Sequence, residues 1–169
     1  MDIYKEYLVK KKTSHSDIAK IIAAILGLLI IATAMFMYVP PSFVSYGLFI
    51  IAAGIFGIYK LVQYLNVEYE YIFTNGDLDF DKIMGQAKRK RLITVDFNTL
   101  SAFGALDSET AEKIMNSDYT VVDASDNTDV NDYYLECKHK THGMTYVVFT
   151  PSEEFAEELE KNLPRNLKQ

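Results

Sequence analysis

Apolar residues dominate one long stretch of this chain. From Ile21 to Tyr59, 39 residues include no Asp, Glu, Lys, Arg or His. Because a helix needs about 20 apolar residues to cross a bilayer core, this stretch is long enough for two spans. Val39-Pro40-Pro41-Ser42 interrupts it near the middle, where consecutive prolines end a helix and favour a turn. The pattern predicts a transmembrane hairpin with helices over 21–39 and 43–65.

After Asn66, apolar and polar residues alternate in short segments, which is typical of strands with one buried face. Asn75-Gly76 separates the first two segments and is a strong signal for a two-residue hairpin turn. A helix is predicted over 108–116 with Ser108 as its N-cap. For 100–118, a strand plus this helix and one longer helix both remain open. The predicted strands are 67–73, 78–84, 91–97, 100–103, 119–124, 132–139 and 144–149.

The last segment has the signals of an amphipathic helix. Thr150-Pro151-Ser152-Glu153 matches a capping box with proline at the first helical position, and Pro164 ends the helix. The order of strands and helices is that of a pleckstrin-homology-like (PH-like) fold. The predicted fold class is an α+β membrane protein: a two-helix hairpin, then an antiparallel barrel or sandwich of about seven strands capped by this helix. Its apolar face comprises Phe155, Ala156, Leu159 and Leu163.

Charge divides the chain into three predicted parts: a basic N-terminal segment 1–20, the hairpin 21–65 and a PH-like domain 67–169. The domain has 11 Lys and Arg against 20 Asp and Glu, so a role in nucleic-acid binding is not expected. Lysines flank the outer ends of the hairpin, and its central turn has none. This bias predicts a multi-pass protein of the inner (plasma) membrane with both termini and the domain in the cytoplasm. The flanking residues are Lys10, Lys11, Lys12, Lys20 and Lys60.

Two further features concern membrane association. Residues 2–12 have Ile3, Tyr4, Tyr7 and Leu8 at helical spacing, which favours an amphipathic helix at the interface. Small residues recur in both predicted spans and allow close helix approach, either within the hairpin or between two copies of the chain. These small residues include Ala23, Ala24, Gly27, Ala52, Ala53, Gly54 and Gly57.

Several short motifs along the chain point to a known family. They are Met1-Asp2-Ile3-Tyr4, Val9-Lys10-Lys11-Lys12, Asn66-Val67-Glu68-Tyr69-Glu70-Tyr71, Thr74-Asn75-Gly76, Lys88-Arg89-Lys90-Arg91-Leu92 and Phe149-Thr150-Pro151. In these motifs the chain resembles an uncharacterised family of small bacterial two-helix membrane proteins with a cytoplasmic PH-like domain. The resemblance implies an architecture and provides no catalytic residue, cofactor or activity.

A basic run, Lys88, Arg89, Lys90 and Arg91, stands out in the acidic domain. Such a run can contact anionic headgroups or an acidic partner. It can also be a solvated turn whose charges offset neighbouring acids and protect an edge strand. We take this run as the candidate contact site, and the solvated turn remains the alternative interpretation.

Other candidate chemistry is weaker. Cys137, His139 and His142 lie within six residues, but a zinc site normally needs a fourth ligand, so no metal is expected. The alternating acids of 68–70 and 77–81 are interpreted as solvent-facing sides of strands. No phosphate-binding loop, catalytic triad order or metalloprotease motif occurs.

The sequence therefore favours a non-enzymatic module without a cofactor. It would be integral to the membrane and would bind a protein partner or the inner-leaflet surface. The alternative is a small accessory subunit of a membrane transporter or envelope enzyme, which would associate through its transmembrane helices.

Overall fold

The computed structural model of this protein describes residues 4–165 and Leu167. Two long helices, α1 (His15–Tyr38) and α2 (Val44–Leu65), are joined by a 3-10 turn at Pro41–Phe43. Both are long and apolar enough to cross a membrane, which agrees with the predicted hairpin. The first helix begins at His15 rather than at residue 21.

Within the described residues, eight strands form two four-stranded sheets that are not closed into a barrel. The first sheet has the order β1-β2-β3-β4 and the second has the order β5-β7-β8-β6. The strands are β1 (Tyr4–Lys10), β2 (Val67–Thr74), β3 (Asp77–Met84), β4 (Lys88–Asp96), β5 (Leu100–Ala105), β6 (Thr120–Ala124), β7 (Tyr133–His139) and β8 (Gly143–Phe149). Helix α3 (Ser108–Met115) precedes β6, and α4 (Glu153–Lys161) follows β8. The predicted order of elements after residue 66 is confirmed.

The N-terminal segment is a strand, so the interfacial helix expected over residues 2–12 is wrong for the residues of β1. This strand pairs antiparallel with β2, from Tyr4 opposite Thr74 to Lys10 opposite Glu68. The amide of Lys11 donates to the carbonyl of Val67 at 3.0 Å and extends the pairing. The hairpin α1–α2 thus occupies the place of the loop that would join two neighbouring strands.

The chain divides into two compact units. One unit holds both sheets and takes in residues 4–12 together with 67–83 and the described residues from 87 onwards. The other holds residues 13–66 and 84–86. The unit with the sheets is therefore assembled from chain on both sides of the hairpin, whereas the sequence pattern placed its start at residue 67.

One pairing departs from the expected all-antiparallel arrangement. Strand β6 runs parallel to β8, from Thr120 opposite Thr145 to Ala124 opposite Phe149. The polar segment between β6 and β7 reverses the chain with positive φ at Asn127, Asp129 and Asn131. Asparagine and aspartate tolerate this backbone conformation better than other side chains, because they can hydrogen-bond locally.

An aromatic cluster joins the two sheets. The rings of Tyr71, Phe80 and Phe149 lie with centroids 5.2–5.4 Å apart. The apolar face predicted for α4 is buried against this core, because its residues Phe155, Ala156 and Leu159 are each at most 4 % exposed. Burial of large aromatic side chains contributes most of the stabilisation in such a core.

Both short helices are capped one or two residues away from the predicted positions. Asp107, not Ser108, caps α3 by accepting a hydrogen bond from the amide of Thr110. Ser152, not Thr150, caps α4 by accepting from the amide of Phe155 at 3.2 Å. The hydroxyl of Thr150 instead donates to buried Asp132, so it is not available as a cap.

Candidate binding surfaces

The basic run lies on β4 and divides into two pairs of residues. Arg89 donates to Glu70 at 2.7 Å. Arg91 contacts Asp81 at 2.5 Å through Nε and Asp79 at 2.7 Å through Nη1. The side chains of Glu70 and Asp81 are only 4 % and 2 % exposed, so the prediction that these two acids face solvent is wrong. Both guanidinium groups are therefore occupied by acids of β2 and β3.

Lys88 and Lys90 differ from these arginines. Both are exposed, and within the described part of the chain no ion pair is recorded for either. Of the two interpretations of the basic run, the one in which its charges offset neighbouring acids applies to Arg89 and Arg91. Contact of the basic run with a membrane or a partner stays a prediction. The cations available for such a contact would be those of Lys88 and Lys90.

Glu70 has an unusual environment on this outer face of the first sheet. Its Oε2 is buried and has no hydrogen-bond donor among the described residues. Burial raises the pKa of this carboxyl above its ordinary value, and Glu6 of β1 raises it further, whereas Arg89 lowers it. Both the burial of this oxygen and the nearby charge of Glu6 favour the protonated form of Glu70.

A second surface is the groove between β5 and α4, which we call the β5–α4 groove. It has a volume of about 650 Å³ and an apolar floor of Phe103, Leu163 and Leu167. Its rim carries Glu157, Glu160 and Lys161. The sequence did not predict this groove, because the acidic residues of α4 have the spacing of an ordinary solvent-exposed helix face.

The whole chain matches one family. A sequence profile described as a bacterial PH-like domain (DUF6106) covers residues 1–169. The chain belongs to this family. The two sheets and the C-terminal helix of the structure agree with a PH-like domain. No curated protein and no solved structure matches the chain significantly.

The cysteine and histidines of the PH-like domain are not arranged as metal ligands. Cys137 is 1 % exposed, and burial raises the pKa of its thiol to about 11. The rings of His139 and His142 stack with centroids 5.0 Å apart, and Nδ1 of His139 accepts hydrogen bonds from two backbone amides at 3.3 Å. Among the residues that the structure describes, no group of three or more His, Cys, Asp or Glu could hold a metal ion.

The lysines that flank the hairpin occupy several environments. Lys10 lies in β1 of the PH-like domain, and the backbone amides of Lys11 and Lys12 donate to Val67 and Asp126. In α1, Lys20 contacts Asp17 at 2.8 Å. In α2, the Lys60 ammonium lies 5.5 Å from the ring of Phe56 and donates to Gln63.

The small residues in the helices have two environments. A side chain at Gly54 would collide with Leu28, and one at Gly47 would collide with Met35, so these glycines allow α1 and α2 to pack closely. Gly27 and Gly57 have open space beside them. Close packing within the hairpin therefore uses some of the small residues but not all of them.

Proposed function

We propose that this protein is a non-catalytic interaction module tethered to the cytoplasmic face of the inner (plasma) membrane, and that its PH-like domain binds a protein partner. The pairing of β1 with β2 is the observation that carries the proposal. Because both ends of the hairpin enter one folded unit, the two helices would cross the membrane as a pair and return to the same side. The basic residues Lys10–Lys12, Lys20 and Lys60 favour the cytoplasm for that side.

A tethered module gains from its location. Confinement at the membrane raises the effective concentration of the domain for partners at the same surface, without any new contact. The excess of acids in residues 67–169 disfavours nucleic acid and anionic lipid as the main ligand, which supports a protein partner. PH-like domains serve typically as interaction modules, and this supports a non-catalytic role here.

The test compares two forms of the protein by in-cell crosslinking and pull-down. One form is the full chain; in the other, residues 13–66 are replaced by an unrelated two-helix hairpin, and residues 1–12 are kept so that β1 can pair. Recovery of the same protein with both forms is expected. Recovery of no specific protein with the exchanged form would contradict the proposal.

The alternative function, an accessory subunit that associates through its helices, is favoured by one observation. A cleft of about 330 Å³ lies beside Gly27 and Gly57, and a helix of another protein could pack there. The same experiment separates the two functions. Recovery that requires the native hairpin would support the accessory subunit and contradict the interaction module.

A further inference from the structure

Strand β5 provides an open edge for strand addition. It is the terminal strand of the second sheet and pairs on one side with β7, from Leu100 opposite Cys137 to Ala105 opposite Tyr133. In the described part of the chain, no strand is paired with its other side. The unpaired N–H and C=O groups of an edge strand are a template for an extended segment of another protein.

The β5–α4 groove lies beside this edge and has a preformed apolar floor. Phe103 of β5 is half-buried, and its ring lies 5.7 Å from that of Tyr133 and 6.4 Å from that of Phe149. These contacts with the core hold the ring in place before any ligand binds. A volume of about 650 Å³ is sufficient for one large apolar side chain with its neighbours.

The rim of the groove is acidic. Glu157 and Glu160 line it from α4. Lys161 also lines it, but its ammonium lies 3.8 Å from Glu158 and 4.0 Å from Glu157, so its charge is partly offset. An acidic rim around an apolar floor favours a ligand with an apolar side chain and flanking cations.

We propose that the β5–α4 groove binds an extended segment of a protein partner, in which an apolar anchor residue is flanked by Lys or Arg. The segment would add to the free edge of β5 and place its anchor over Phe103. Alternate side chains of a strand face the same way, so residues two positions from the anchor would also face the groove. The inference rests on the proposed function, because it names the surface and the chemistry of that protein partner.

The test uses the full chain in nanodiscs and a displayed library of random 12-residue peptides. Peptides are selected on the native protein and then measured against Glu157→Lys/Glu160→Lys. A matched control, Glu109→Lys/Glu112→Lys, reverses two acids on α3 outside the groove. We expect the selected peptides to carry an apolar residue flanked by Lys or Arg. Their affinity should fall at least about tenfold for the groove variant and stay unchanged for the control.

Strand addition has its own readout. N-methylation of alternate backbone amides in a selected peptide should abolish binding in one of the two alternation frames, because only one frame faces β5. Equal affinity for the native and groove variants, insensitivity to both methylation frames, or no enrichment of peptides would each overturn the inference. Vesicles of anionic lipid are a further probe. If the native protein binds them and Glu157→Lys/Glu160→Lys loses that binding, the groove is a lipid site and the inference is overturned.

The outcomes distinguish this inference from the proposed function. Suppose that a partner is recovered with the exchanged hairpin and that Glu157→Lys/Glu160→Lys does not change its binding. The protein would then still be an interaction module, but the groove would not be its binding site. Failure of the exchanged form to recover any partner, together with peptide binding at the groove, would contradict the function and leave the groove as a peptide site.

Discussion

The hydroxyl of Tyr71 accepts a hydrogen bond from the backbone amide of Thr150 at 3.2 Å, and so joins the first sheet to the end of the second. The same hydroxyl donates to the carbonyl of Ala124 at 2.5 Å. Tyr71 is fully buried, and burial raises the pKa of its phenol far above the ordinary value. The phenol of Tyr71 is therefore neutral and acts as both donor and acceptor. It connects β2 with the end of β6 and with the segment that follows β8.

The first prediction concerns this junction. Tyr71→Phe keeps the ring but leaves the Ala124 carbonyl and the Thr150 amide without this partner. We expect the free energy of unfolding to fall by about 1–3 kcal/mol, measured by chemical denaturation. Tyr119→Phe is the control, because Tyr119 is 41 % exposed and its ring stacks on Tyr146. An equal loss in both variants would show that the hydrogen bonds of Tyr71 contribute nothing special.

Much of the PH-like domain could be predicted because each strand after residue 66 carries its own local signal. Asn75 and Gly76, for example, both have the positive φ that a two-residue hairpin turn needs. Strand β1 has no such signal: its apolar residues also fit helical spacing, and its partner strand lies beyond the hairpin. The parallel pairing of β6 and the groove likewise depend on distant parts of the chain, which no local pattern encodes.

The second prediction concerns the inserted hairpin. The amide of Lys11 and the carbonyl of Val67 are 3.0 Å apart, so an ordinary short turn can join β1 to β2. A chain in which Asn-Gly replaces residues 12–66 should be soluble and cooperatively folded, because a type I′ turn matches the twist of paired strands. Its circular dichroism and thermal unfolding would be measured.

The control for this chain lacks β1 and consists of residues 67–169. It exposes the edge and inner face of β2, where Tyr7 otherwise lies 6.1 Å from Tyr71. We expect it to be destabilised or aggregated. Equal stability of the two forms would show that β1 is dispensable for the PH-like domain.

The third prediction concerns pH. The pKa of Glu70 is raised in the folded state, mainly by burial, so its protonation stabilises the fold. This contribution is complete below the ordinary value of 4.5 and is lost as pH rises through the higher folded pKa. The groups facing Glu70 are Glu6 of β1, Asp81 of β3 and Arg89 of β4.

Glu70→Gln removes this titration. The free energy of unfolding of the native protein, relative to this variant, should therefore be larger near pH 5 than near pH 8. Denaturation at a series of pH values measures the difference. Glu109→Gln on α3 is the control and should show no such trend. A difference that is flat or that increases with pH would show that the pKa of Glu70 is not raised in the folded state.

The last prediction separates the two halves of the basic run. Arg91→Ala removes both hydrogen bonds of the guanidinium to nearly buried Asp81 and leaves that carboxylate only Arg89, at 4.0 Å. The weakened pairing of a buried charge should lower the free energy of unfolding by about 2–4 kcal/mol. Lys88→Ala/Lys90→Ala removes two exposed cations and should change stability by less than about 0.5 kcal/mol. If these lysines contact an anionic surface, the double variant should also bind anionic vesicles more weakly in a salt-dependent manner. Because the lysine variant is expected to stay folded, unchanged vesicle binding could not be attributed to unfolding. It would show that Lys88 and Lys90 do not contact the anionic surface, so the arginines would stabilise the first sheet and the lysines would simply be solvated at its edge.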